Sequence, residues 1–248
     1  MADPEYLKRF GKDLLWTTTW SEILKTNAPV NARILAAYLT EARKYLTEEP
    51  GPHLQQRREL APDWLNFWIN YLNAYDLSQK KRHASLVPFD QVEAKISQNA
   101  KESVSALKES HTSGVLFAGG LEGHVGHRFV VDWLQLHVAS SVILFEQDQY
   151  LEGKARGAAF LPLEARASMW SYYSPHLIIS VLPPKSSDIS DKDHYQRLFN
   201  LTGADYCFAD ESDPNRDEKR ARGKPASFTL IPHYPTLRTT FRVQKLDS

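Results

Sequence analysis

Residues 114–134 read GVLFAGGLEGHVGHRFVVDWL, and the fold turns on how this stretch is parsed. VLFA at 115–118 is a short apolar run of the kind found in strands buried on both faces. Two glycines end it, and from His127 onward the pattern is that of an amphipathic helix. A strand therefore gives way to a helix across a turn that holds glycines and two histidines. The first turn of a helix gathers N–H groups with no partner inside the helix, together with the positive end of the dipole, and so collects anions. Gly119, Gly120 and Gly123 let the backbone turn sharply and approach a phosphate with no Cβ in the way. Imidazoles at His124 and His127 can hydrogen-bond that phosphate and stabilise charge developing on it. A pair of surface histidines after a turn is the plainer parse. A His-x-x-His zinc pair is another, with no third ligand at convincing spacing.

The rest of the second half repeats the alternation. SVILF at 141–145, HLIISVL at 176–182, DYCFA at 205–209 and SFTLI at 227–231 are further short apolar runs. Helix-like segments at 127–138, 162–173, 191–201 and 216–222 separate them. Such strands with helices between them make a parallel sheet covered on both faces. The expectation is an α/β domain over 111–248: a Rossmann-like, doubly wound parallel sheet of about five strands. Its ligand crevice lies beyond the carboxyl ends of the strands, where the opening stretch sits.

Residues 1–110 read instead as an all-helical region. NAPVNARILAAYLTEARKYLTEE puts Val30, Ile34, Leu35, Tyr38, Leu39 and Ala42 on one helix face, and EEPGPH punctuates its end. PDWLNFWINYLNAY repeats the pattern with Trp64, Phe67, Trp68, Tyr71, Leu72 and Tyr75, a stripe expected to be core or a subunit contact. A third helix is expected from Asp90, where Asp90 and Glu93 have capping-box spacing, toward His111. The QKKRH cluster at 79–83 reads as a solvated loop. The helical region carries no recognisable motif. Closing over the crevice, forming a homodimer and carrying acceptor specificity all remain open to it.

Composition narrows the partners. Thirty basic and thirty acidic side chains among 248 residues leave a formal net charge of zero, so no global field favours nucleic acid or an anionic membrane. The single cysteine, Cys207, excludes an internal disulfide and a multi-cysteine metal site. The charged N-terminus lacks a signal-peptide core, and no apolar run approaches the roughly 18 residues of a membrane span. A cytoplasmic protein is expected.

At this point the chain resembles the nucleotidyltransferase superfamily with the His-x-Gly-His signature, which includes glycerol-3-phosphate cytidylyltransferase and the adenylyltransferase domain of ADP-heptose synthase. The resemblance covers about residues 98–247. FEQDQYLEGKARGAAFLPLEARASMWSYYSPHLIISVLP is similar to the family's run from an acidic residue through a lysine-glycine loop to a proline and an arginine-bearing helix, here Asp148, Lys154, Pro162 and Arg166. LTGADYCFADES resembles the family's fourth strand. FTLIPHYPTLRTTFRVQKL resembles its last strand and closing helix, with Thr239 and Thr240 at the Ser/Thr motif.

The resemblance implies transfer of CMP or AMP from CTP or ATP to a small phosphorylated acceptor, with release of pyrophosphate. It implies that His124 and His127 contact the triphosphate and stabilise the transition state, and that Lys154 bridges the acceptor phosphate and the α-phosphate. Gly119, Gly120 and Gly126 would line the nucleotide. Thr239 and Thr240 would hold the β- and γ-phosphates, and Arg166 would support the nucleotide or the loop. Mg²⁺ would travel with the nucleotide, with no protein ligands assigned to it. Two departures stand out. The family usually reads Gly-x-Phe-Asp, two residues, then His-x-Gly-His, whereas Gly-Gly-Leu-Glu-Gly precedes His124 here. Either Leu121 replaces the aspartate, or one residue is deleted and Glu122 stands in for it. The closing motif has Arg238 before its threonines and Phe241 after, with Arg242 one place later. A degenerate, nucleotide-binding sensor or scaffold of the same fold is the alternative.

Overall fold

The computed structural model describes residues 19–48, 61–75, 83–104, 112–118, 121–147, 161–211 and 228–231. Within them the helices are α1 (Trp20–Thr26), α2 (Ala32–Glu48), α3 (Ala61–Asn73), α4 (Val92–Val104), α5 (Val125–His137), α6 (Leu163–Tyr173) and α7 (Asp191–Thr202). The strands are β1 (Ser85–Leu86), β2 (Ser113–Ala118), β3 (Ser140–Phe145), β4 (Leu177–Val181), β5 (Tyr206–Asp210) and β6 (Phe228–Ile231). They form one parallel sheet in the order β1-β4-β3-β2-β5-β6. The chain leaves β2 toward β3 on one side and, after β4, crosses to β5 on the other. That reversal is the switch point of a doubly wound sheet, and β2 stands at it. Among the described residues, no helix is long and apolar enough to cross a membrane.

Four expectations need correction. The sheet has six strands, not about five, because Ser85 and Leu86 pair in parallel with Ile178 and Ile179. Two residues carry no readable period, so the region before 110 is not all-helical. Asp90 does not cap the third helix: it lies inside a 3-10 turn, Phe89–Gln91, that leads into α4 at Val92. Ile34 is exposed, although the rest of its stripe, Val30, Leu35, Tyr38, Leu39 and Ala42, is buried.

The described residues fall into two compact units. The first draws on Met1–Val87, Gly119–Val125 and Phe145–Ile179. Its centre is α6, buried nearly all round. A helix can be buried so only if its polar groups are satisfied and its side chains are small enough for neighbours to approach. Ala165, Ala167, Ser168 and Ser171 meet the size condition and all are buried. Ser168 Oγ accepts from Val30 N at 3.0 Å, and Ser171 Oγ donates to Ser168 O at 2.7 Å. Helices α2 and α3 pack together, and α2 also touches α6.

A cluster of tyrosines lies in this unit. Tyr172 is buried, its hydroxyl donates to Val30 O at 3.1 Å, and its ring centroid is 4.7 Å from that of Tyr75. Burial, and then the neighbouring Tyr75, push the Tyr172 phenol up to about 12, partly offset by the backbone of Ala32. Tyr71 and Tyr75 are raised as well, chiefly by burial. A raised phenol favours the protonated folded state. Its contribution is complete below the ordinary value of about 10 and is lost as pH climbs toward 12. A spectrophotometric titration should therefore show a class of tyrosines ionising above the free value. Denaturant midpoints should fall between those two pH values. A single tyrosine step at the free value, with flat midpoints, would contradict this packing.

The second unit draws on Pro88–Ala118, Gly126–Leu144 and Ser180–Ser248. Every residue of β2 and β3 is buried, as the continuous apolar runs require. Gly114 and Val115 of β2 pair with Tyr206 and Cys207 of β5. A Cβ on Gly114 would lie 2.4 Å from Phe208 Cε2, so only glycine lets that ring cross the strand. Asp205 fixes the start of β2, accepting from Ser113 N at 2.7 Å and Ser113 Oγ at 2.9 Å. Cys207, the single cysteine, is buried and takes part in no disulfide.

Candidate functional site

Strand β2 ends at Ala118, and α5 begins at Val125. His124 is the residue immediately before the helix, in the cap position, and His127 is the third residue of its first turn. Gly126 lies between them. Both histidines are half-buried, and Val125 is exposed. His124 and His127 both stand at the first turn of the helix, the end that carries the positive pole of its dipole. Hydrogen-bond donors and a positive dipole end thus occur together, one short loop beyond the strand at which the sheet order reverses.

The loop before the helix is held by two indoles. Trp68, from α3, donates its Nε1–H to the Gly123 carbonyl at 2.7 Å. Trp170, from α6, donates its own to the Leu121 carbonyl at 2.8 Å. Both rings are fully buried and meet edge to face, with centroids 5.3 Å apart. The backbone they hold is unusual. Gly123 has φ +94°, and a Cβ there would lie 2.4 Å from Trp68 Nε1. Leu121 has φ 33°, a left-handed conformation that a branched apolar residue adopts only when its surroundings impose it. Leu121 and Glu122, the two candidates for the position of the family's aspartate, are both buried.

Arg166 is also fully buried. Its Nε donates to Leu161 O at 3.0 Å, and its guanidinium carbon lies 5.5 Å from the Phe145 ring centroid. These contacts tie the start of α6 to the segment before it and to the end of β3. Lys154, Gly119, Gly120, Thr239 and Thr240 lie outside the described residues, as do residues 79–82 of the basic cluster and the helix expected at 216–222. Among the described residues, no three His, Cys, Asp or Glu side chains gather in a group that could hold a metal ion.

Sequence reasoning missed the two tryptophans as parts of this site. Trp68 was one member of an apolar stripe, and nothing in a helical period says that its N–H reaches a carbonyl 55 positions away. Trp170 had no assigned role. The one available signal was chemical: a buried indole must find an acceptor for its N–H. No protein-family model matches the chain, and no curated protein matches it.

Proposed function

We propose that this protein is a nucleotidyltransferase that moves CMP or AMP from a nucleoside triphosphate to a small phosphorylated acceptor. The observation that carries the reading is the placement of His124-Val125-Gly126-His127 across the start of α5, one loop beyond the switch-point strand β2. A phosphate oxygen of the acceptor attacks the α-phosphorus, a new P–O bond forms, and the bond to the β-phosphate oxygen breaks as pyrophosphate leaves. Two anions must meet and charge must spread over the transferring group, so catalysis is alignment and electrostatic stabilisation. The half-buried imidazoles and the helix start are donors suited to that task. Lys154 would bridge the acceptor and α-phosphates, Gly119 and Gly120 would allow the nucleotide close to the backbone, and Thr239 and Thr240 would grip the β- and γ-phosphates. Mg²⁺ carried by the triphosphate would supply further neutralisation. For Arg166 the buried contacts support a framework role near the loop. A cytoplasmic location belongs to the same reading.

The test has two arms. Each of CTP, ATP, GTP and UTP with Mg²⁺ is titrated against thermal unfolding, then phosphorylated acceptors are screened for pyrophosphate release. A triphosphate at a hundred times its dissociation constant should add about 2.7 kcal/mol of stability. CTP or ATP should shift the melting point, and one acceptor should release pyrophosphate. A shift without release under any acceptor would favour the sensor or scaffold reading. No shift with any of the four would remove nucleotide binding itself.

A further inference from the structure

We propose that Trp68 and Trp170 are positioning residues that set the backbone of the histidine loop, so that the helical N-terminal segment acts on the chemistry through Trp68. The proposal of a catalytic consequence rests on the nucleotidyltransferase reading; the proposal of the clamp itself does not. The geometry is specific. The carbonyls of Leu121 and Gly123 belong to alternate peptides, and each accepts from an indole in the same buried pair. Both peptides are trans. In a trans peptide the N–H opposes the C=O, so drawing in these carbonyls directs the N–H groups of Glu122 and His124 away from the indoles. The orientation of the cap residue His124 is thereby coupled to a ring on α3.

The loop also needs the clamp. Left-handed backbone at Leu121 costs free energy that something outside the loop must offset. Trp68 fills the space a side chain at Gly123 would take, 2.4 Å from the ideal Cβ position, and Met169 Cε closes it from a second direction at 2.8 Å. Glycine and tryptophan are therefore matched in shape as well as bonded. Two half-buried rings of the same helix, Phe67 and Tyr71, pack edge-on against Trp68, with centroids 5.5 and 5.9 Å from its own. Tyr71 donates to Tyr172 O at 3.0 Å.

The experiment uses the full chain and substitutes Trp68→Phe and Trp170→Phe, which keep a ring and delete the donor, with Trp64→Phe on the same helix as the packing control. In the wild-type protein, the indole N–H protons of Trp68 and Trp170, assigned from these variants, should be the slowest of the six tryptophans to exchange with solvent. In Trp68→Phe the ring resonances of His124 should move, whereas Trp64→Phe should leave them in place. With a substrate pair that releases pyrophosphate, Trp68→Phe should lower kcat about tenfold, the size of one lost hydrogen bond, with KM for the triphosphate changing less. Rapid exchange of all six indole N–H protons in the wild-type protein would overturn the clamp without any variant having to fold. Unmoved His124 resonances in a folded Trp68→Phe would overturn it too. If the indoles are protected and the resonances move but no triphosphate binds, the clamp stands and the catalytic reading alone has failed.

Discussion

Alanine at His124 or at His127 is expected to lower turnover by about a hundredfold or more while leaving the fold intact. The size follows from removing a preorganised donor at the point where negative charge builds. The intact fold follows from position. Both side chains are only half-buried, one just before the helix and one in its first turn. Pyrophosphate release under saturating triphosphate, set beside the thermal midpoint, reads both quantities. A variant that unfolds would show the imidazole to be a core group, and one with full activity would show it to be a surface residue. Either result would remove the histidines from the chemistry. Lys154→Ala should fall by a similar factor, and because that residue is assigned by resemblance alone its result bears on the family reading separately. A loss at the histidines with none at Lys154 would mean that the helix start is used by a different phosphate chemistry.

The sheet was legible because its strands are continuous apolar runs and because each is followed by a segment of helical period. Burial of all six residues in β2 and in β3 is the structural counterpart of that pattern. Helix starts at Leu163 and Asp191 fall within a residue of expectation because Pro162 and Ser190 mark them. Ser190 accepts from Asp193 N at 3.1 Å, a cap of the ordinary kind. Strand β1 escaped notice because two residues have no period, and its pairing is set by β4 rather than by its own composition. Asp90 misled for a related reason: capping-box spacing is a local signal, and the chain enters α4 through a 3-10 turn instead. The site divides the same way. Glycines and histidines next to one another in sequence could be read as a helix start. The indole bonds join positions 55 and 49 residues apart, a relation that only the packing of α3 and α6 creates.

Trp170→Ala should produce the largest loss of stability in the first unit. The ring is fully buried, and it packs edge to face against Trp68 at 5.3 Å and Tyr173 at 5.2 Å between centroids. Emptying such a site costs about 3–5 kcal/mol from lost burial and the cavity left behind. The Leu121 carbonyl loses its donor as well, which adds about 1–3 kcal/mol if no water reaches it. Natural domains have only about 5–15 kcal/mol in hand, so the variant should sit close to unfolding at ambient temperature. Trp170→Phe separates the two contributions, since it keeps most of the ring volume and removes only the N–H. The drop in denaturation midpoint for phenylalanine should therefore be a minor part of that for alanine. Equal drops would assign the stability to the hydrogen bond. A drop within measurement error for alanine would mean that α6 is not the centre of its unit. The loop should report the same change: with both the ring and its donor gone, Leu121 loses what holds it at positive φ, and protection of backbone amides at 121–124 should fall before the rest of the unit opens.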